Sequence, residues 1–209
     1  MRAAIGTSAS QDAELVRNSV LRSAPTAPAF EVYDGVLFDA IELSSAPAAV
    51  HARIVERVLV QSALFGVVGF GDHIPAYRCS ADSALPRIGR VGTFWRSRLN
   101  AAMNELTENH LVVDLRSGSY AAMWKPAAEL AERTATVRVM QMRGGRRLAV
   151  SHFNKATKGQ IVRALCSTAA ELHTVDDAAN RLVKVGFDVD VVRLRSGVTI
   201  EVMMRTPGA

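Results

Sequence analysis

The chain has 209 residues, of which 49% are apolar, and carries a formal net charge of +5 at pH 7. This composition can bury a hydrophobic core and excludes a disordered protein. No apolar run approaches the roughly 18 residues that span a membrane. The N-terminus is not a secretory signal and the two cysteines form no disulfide framework, so we predict one cytoplasmic domain over residues 1–209.

The first third of the chain predicts helices around one apolar strand. A short helix is expected over Ser10–Ala24, ended by prolines, and a second helix begins at Pro47. Val58–Val68 is rich in Val and Leu and predicts a single buried strand. The glycines that follow it, and Pro75, would then present Tyr77 and Arg78 at the tip of a loop.

The remainder mixes helices with strands. A helix is predicted from Thr93 to Leu106, then a short strand over Leu111–Leu115. Two β-hairpins are predicted around Gly144-Gly145 and Arg195-Ser196-Gly197. Two helices lie between them, one starting at Asn154 and one at Thr174, where Asp177 completes a capping box. Strict βαβ alternation is absent, so the predicted class is α+β: one mixed sheet with β-hairpins and packed helices.

Charge is distributed unevenly along the chain. Residues 1–75 hold 5 basic and 8 acidic side chains, and residues 76–209 hold 20 basic and 12 acidic ones. Between Arg133 and Ala170 there are eight basic residues and no acidic one: Arg133, Arg138, Arg143, Arg146, Arg147, Lys155, Lys158 and Arg163. An uncompensated basic stretch indicates a polyanion or phosphate partner. A solvated basic face is the alternative interpretation, since 21 of the 25 cations are arginine.

The start of the predicted helix at Asn154 is the sharpest anomaly. Lys155 and Lys158 would lie near its positive end, where cations are unfavourable unless an anion binds. The alternative is that both lysines extend into water. Gly159 would let a backbone or a ligand come close. His152, just before this turn, is a candidate base or a candidate hydrogen-bond donor to phosphate. The alternative is an ordinary surface histidine.

Two further groups of residues are candidates for anion binding. Arg78 could hold a phosphate or a carboxylate, or could form a structural ion pair with Asp72 or Asp114. Asp114, Arg116, Ser117 and Tyr120 lie at the C-terminal end of a short strand, where sites often form, although an ordinary capped turn fits equally well. No metal-ligand spacing and no nucleotide-binding motif is found, so neither a metal nor a cofactor is predicted.

Taken together, four segments resemble the peroxide stress protein YaaA family in order and spacing. They are SALFGVVGFGDHIPAYR (62–78), FWRSRLN (94–100), VVDLRSGSYAAMWKP (112–126) and SHFNKATKGQIVRAL (151–165). The resemblance implies a mixed α/β domain with a positively charged cleft that binds double-stranded, bent or branched DNA. It also implies a role in peroxide resistance and in limiting iron-driven oxidation of DNA. The positions that match the family's polar motifs are Tyr77, Arg78, Asp114, Ser117, Tyr120, Lys155 and Lys158.

The chain departs from the family pattern at its start. Family members usually begin with a buried strand and a polar turn, and the helix-hairpin-helix element lies in that region. Neither motif is found before Pro28, so we expect a member that lacks them, through a short natural form, a late start or degeneration. An open sheet edge would then favour a homodimer.

The sequence therefore supports two functions of different classes. The first is a cytoplasmic DNA-binding stress protein that contacts phosphates without reading bases. The second is an enzyme or small-anion binder that uses Arg78, Asp114, Tyr120 and Lys155, with no reaction assigned.

Overall fold

A computed structural model describes residues 12–150, 154–195 and 197–204. Its helices are α1 (Asp12–Ser19), α2 (Ala29–Val32), α3 (Val36–Asp39), α4 (Ala48–Arg57), α5 (Val91–Thr107), α6 (Gly118–Ala121), α7 (Asn154–Cys166) and α8 (Val175–Lys184), with 3-10 turns at Leu43–Ser45 and Ala128–Arg133. Its strands are β1 (Thr26–Pro28), β2 (Leu59–Ser62), β3 (Gly66–Gly69), β4 (His73–Pro75), β5 (Ala84–Leu85), β6 (Gly89–Arg90), β7 (Val112–Asp114), β8 (Thr134–Arg143), β9 (Arg146–Ala149), β10 (Asp188–Leu194) and β11 (Gly197–Met203).

These elements group into two compact units. The first unit takes in the described residues of Met1–Tyr33, Val55–Glu105 and Arg116–Lys125. The second takes in those of Asp34–Ile54, Leu106–Leu115 and Pro126–Ala209. The prediction of a single domain over residues 1–209 is not tested by this grouping and stays a prediction.

The second unit is built on a mixed sheet. Its strand order is β10-β11-β8-β7, and β9 pairs with β8. Strand β8 runs parallel to β7 and β11, whereas the hairpins β8–β9 and β10–β11 are antiparallel. Both hairpins lie where the glycine turns predicted them. The α+β class with a mixed sheet is therefore confirmed.

Helices α7 and α8 pack on one face of this sheet. Ile161 of α7 and Leu182 of α8 share a core with Val137 and Ile200, and all four side chains are buried. Helix α8 begins with the capping box that the sequence predicted: Asp177 N–H donates to the Thr174 hydroxyl, and the Asp177 carboxylate accepts from the Thr174 N–H. On the other face of the sheet, Thr136 and Arg138 of β8 are exposed.

A close backbone approach fixes helix α7 against α3. A Cβ atom added to Gly159 would lie 2.2 Å from the carbonyl oxygen of Leu37 and 2.8 Å from the Cβ of Ala40. Only a residue without a side chain allows this approach. The sequence predicted that Gly159 admits a close neighbour, and that neighbour is the backbone of α3.

The first unit contains three separate two-stranded pairings, β1–β4, β2–β3 and β5–β6. The prediction of one strand over Val58–Val68 is wrong, because this segment is the antiparallel hairpin β2–β3. Gly66, at φ 84°, takes the left-handed conformation that reverses the chain. The turn is also closed by the hydroxyl of Ser62, which accepts a hydrogen bond from the Phe65 N–H at 3.0 Å.

The hairpin turn packs on helix α5. Trp95 Nε1 donates to the carbonyl of Ala63 at 2.8 Å, and a Cβ at Gly66 would lie 2.9 Å from the Trp95 ring. Among the described helices, none is both long and apolar enough to cross the hydrocarbon core of a bilayer.

Replacing Gly159 by Ala should destabilise the protein, although Ala stabilises most helix positions by about 1 kcal/mol relative to Gly. The added methyl group would collide with backbone atoms of α3, so we expect a loss of at least about 2 kcal/mol in the free energy of unfolding. Urea denaturation measures the change. The control is Gln160→Ala at the next, exposed position of α7, which should stay within about 0.5 kcal/mol. Equal stability of Gly159→Ala and the native chain would contradict the close approach.

Candidate functional site

Tyr77 is the centre of a hydroxyl chain in the first unit. Its phenol oxygen lies 2.7 Å from the Ser62 hydroxyl and 2.9 Å from the phenol oxygen of Tyr33. Ser62 is fully buried. The Tyr77 ring also makes edge-to-face contacts with Phe65 and Tyr33, at centroid distances of 5.5 and 6.2 Å. Tyr77 therefore joins the β2–β3 turn to the segment that follows β4.

Burial controls the protonation of this group. It raises the pKa of Tyr77 well above that of free tyrosine, because a buried phenolate would lose its hydration. Burial likewise raises the pKa of Tyr120, and the neighbouring Cys79 and Tyr33 raise it further. All three tyrosines of the chain thus influence one another electrostatically. Tyr77 and Tyr120 are held as neutral hydrogen-bonding groups.

Arg78 is presented by a clamped backbone. The side chain of Asn18 in α1 accepts from the Arg78 N–H at 2.8 Å and donates to the Arg78 carbonyl at 2.7 Å. The guanidinium is exposed and has no hydrogen bond or ion pair within the described residues. Asp72, one of its suggested partners, instead accepts from the Gly69 N–H and closes the turn after β3.

Arg116, in the turn after β7, is held by the protein. Arg116 donates to the Gln61 side chain at 3.1 Å and to the Trp124 carbonyl at 3.1 Å, and its guanidinium lies 5.0 Å from the centre of the Trp124 ring. Ser117 is exposed and precedes α6 without capping it through its side chain. Tyr120 is half-buried in α6.

Asp114, Lys155 and Lys158 lie in the second unit, where the two lysines have different environments. Lys158 is only 6% exposed, and its ammonium donates to the carbonyl of Leu115 at 2.8 Å. Burial lowers the pKa of Lys158, while the charge of Asp114 raises it. Lys155, in the first turn of α7, is exposed, and that turn holds no acidic residue. His152, the remaining candidate, lies outside the described residues.

The segment between Arg133 and Ala170, called the acid-free stretch below, has eight cations, and the structure separates those held by the protein from those that are not. Arg163 donates to the carbonyls of Ile41, Glu42 and Ser45, and Lys158 is held by Leu115. Arg147 is paired with Asp190 and lies 3.7 Å from Glu201. Arg138 lies beside Glu201 in the register of the sheet, and Arg133 is half-buried.

Four exposed cations of the stretch have no hydrogen bond or ion pair within the described residues: Arg138, Arg143, Arg146 and Lys155. Arg143 and Arg146 face each other across the β8–β9 hairpin. Like charges in opposed positions destabilise a hairpin unless an anion neutralises them. Arg138 lies opposite Glu201 in the sheet register, and the other three are called the unpaired cations below.

A second arginine hairpin was missed by the sequence reasoning. Strands β5 and β6 in the first unit are joined by a turn in which Arg87 has φ 65°, an unfavourable conformation for a residue with a side chain. Arg87 and Arg90 are exposed, as is Ile88 between them. The sequence carried a signal, because Arg87-Ile88-Gly89-Arg90 and Arg143-Gly144-Gly145-Arg146 share the pattern Arg-x-Gly-Arg.

A metal centre finds no support in the described part of the chain, where no group of three or more His, Cys, Asp or Glu side chains could hold an ion. What these residues can do chemically is bind anions. Arg78, Arg143, Arg146 and Lys155 all offer exposed positive charge.

Fold and site together define a mixed-sheet α+β protein that carries unpaired cations on a hairpin and a helix start. A family model described as "Peroxide stress protein YaaA" matches residues 3–188. The chain belongs to this family, which confirms the resemblance of its four segments. Membership supports a general role in peroxide stress.

Several curated relatives cover most of the chain. A UPF0246 protein from Streptomyces coelicolor is 43% identical over 189 residues, which are 90% of this chain and 72% of the relative. A UPF0246 protein from Corynebacterium efficiens is 40% identical over 90% of this chain and 74% of its own. One from Corynebacterium glutamicum is 34% identical over 89% and 74%.

Replacing Tyr77 by Phe should cost about 1–3 kcal/mol of stability, because the buried Ser62 and the Tyr33 phenol both lose the oxygen between them. The matched control is Tyr33→Phe, which removes one end of the chain and leaves the Ser62–Tyr77 contact intact. We expect it to cost less than half as much. Urea denaturation of both variants measures the difference, and a larger loss for Tyr33→Phe would show that Tyr77 is not the central link.

Proposed function

We propose that the protein acts in the cytoplasmic response to peroxide stress by binding DNA through its phosphates, without reading the bases. By covering DNA it would limit iron-driven oxidative damage. Family membership supports the peroxide-stress part of this proposal. The DNA part rests on the unpaired cations and on what the resemblance implies.

The observation that carries the DNA proposal is the separation of the cations. The acid-free stretch contains eight of them, and the fold uses several internally. Arg143, Arg146 and Lys155 stay exposed without a partner in the described chain, at the cost of mutual repulsion and of an unfavourable helix dipole. A phosphate backbone offers closely spaced negative charges that turn both costs into gains.

Binding of this kind has a distinct dependence on salt. Each neutralised phosphate contributes about 0.9 to the slope of log K against log salt concentration. A protein that only contacts phosphates should also bind duplexes of different sequence equally.

The second candidate function is an enzyme or a binder of small anions that uses Arg78, Asp114, Tyr120 and Lys155. Arg78 and Tyr120 belong to the first unit, and Asp114 and Lys155 to the second. The observation in its favour is the neutral, half-buried phenol of Tyr120, a hydrogen-bond donor in the same unit as the exposed Arg78. Through Arg78 and Tyr120, the protein would then bind inorganic phosphate or a carboxylate as tightly as it binds DNA phosphates.

Lys155→Gln should lower the affinity for duplex DNA severalfold at about 0.1 M salt and reduce the salt slope by about 1. Lys158 is unsuitable for this test because its ammonium is buried and structural. Fluorescence anisotropy with two duplexes of unrelated sequence, across a salt series, measures both quantities. Lys184→Gln, an exposed lysine at the end of α8, is the matched control.

Wild-type binding that is absent, or that does not weaken with salt, would overturn the DNA proposal. Displacement of DNA by inorganic phosphate at constant ionic strength would favour the small-anion function instead.

A further inference from the structure

The β8–β9 hairpin extends beyond the sheet as a two-stranded ribbon. The register of β8 with β11 ends at Met140, which lies opposite Met203. Beyond that point, Gln141–Arg143 pair only with Arg146–Leu148 among the described residues. Every residue from Met142 to Leu148 is exposed. Residues 141–148 are called the ribbon below.

The two faces of the ribbon carry different charges. Residues directly opposite each other share a face, so Arg143 and Arg146 lie together with Gln141 and Leu148. The other face carries Arg147, whose charge is neutralised by Asp190 and Glu201 of the sheet. On one face Arg147 is thus held by the sheet beside the 55% exposed Met142, and the other face presents two cations and the 44% exposed Leu148.

The narrow shape and the positive charge of the Arg143–Arg146 face indicate which partner it fits. Glycines at positions 144 and 145, both with positive φ, make a tight turn, so the tip is narrow. The major groove of B-DNA is about 12 Å wide and admits a two-stranded β-ribbon. A second copy of the chain is disfavoured, because the two arginine pairs would repel each other.

We propose that the ribbon enters the major groove of double-stranded DNA with its Arg143–Arg146 face towards the duplex. This inference rests on the proposed function and adds to it the element that contacts DNA and the groove that the element occupies. The two guanidinium groups bind phosphates at the groove edges, and Leu148 packs on groove atoms without reading sequence. Arg147 keeps its contact with the sheet and so fixes the direction of the ribbon.

The test removes the charge of the ribbon without changing its turn. Arg143→Gln/Arg146→Gln should weaken binding to a duplex at least tenfold at about 0.1 M salt and lower the salt slope by about 2. The control Lys184→Gln/Arg195→Gln removes the same charge from exposed positions outside the ribbon, and should change affinity no more than about twofold. Equal losses in both variants would show a general charge effect and overturn the ribbon's role.

The groove is tested with modified duplexes and the native chain. Glucosylated hydroxymethylcytosine fills the major groove and should weaken binding at least tenfold, whereas saturation with a minor-groove ligand such as netropsin should leave it unchanged. The reverse pattern would overturn the assignment to the major groove. Stronger binding to a single strand of the same length than to the duplex would also overturn it.

The experiments distinguish a failure of the proposed DNA binding from a failure of the ribbon's proposed role. If the native chain does not bind duplex DNA, the proposed function and the ribbon inference fall together. If it binds with a steep salt dependence and Arg143→Gln/Arg146→Gln binds equally well, the ribbon inference alone is wrong.

Discussion

The buried ammonium of Lys158 is the constraint on which the second unit depends. A charge removed from water must be paired, and this one donates to the Leu115 carbonyl at the end of β7, close to the charge of Asp114. The contact fixes helix α7 along its axis. The next residue, Gly159, then brings the helix against the backbone of α3. With α7 fixed in this way, Lys155 is left exposed one turn earlier.

The same principle decides which cations are available to a partner. A cation satisfied by backbone carbonyls, as Arg163 is, or by carboxylates, as Arg147 is, stabilises the fold and has little left to offer an anion. A cation that lies opposite another cation is destabilised by their repulsion unless an anion binds. Arg143 and Arg146 are in this second position. Because Arg163 and Arg147 are already satisfied by the protein, the summed charge of the stretch overstates what is available to an anion.

Local rules predicted much of the second unit. The glycine-containing turns predicted both hairpins correctly, and Thr174 and Asp177 predicted the start of α8, because turns and caps depend on neighbours in sequence. The prediction for Val58–Val68 failed because an apolar run does not reveal a reversal. Gly66 was the available signal, and its turn is completed by the Ser62 hydroxyl.

The site was less predictable than the fold. The pattern at Asn154 suggested two equivalent lysines, but their burial depends on the carbonyl of Leu115, 43 residues away in sequence. The hydroxyl chain of Tyr33, Tyr77 and Ser62 likewise joins three distant segments. Only a family resemblance could associate such residues in advance, and it did so for Tyr77 without indicating its partners.

Arginine modification by phenylglyoxal, read by mass spectrometry with and without duplex DNA, tests the division of the cations most directly. We expect Arg143 and Arg146 to react rapidly in the free protein and to be protected when DNA is bound. Arg163, which is held by backbone carbonyls, should react slowly in both states. Equal reactivity of Arg143 and Arg146 with and without bound DNA would contradict the account.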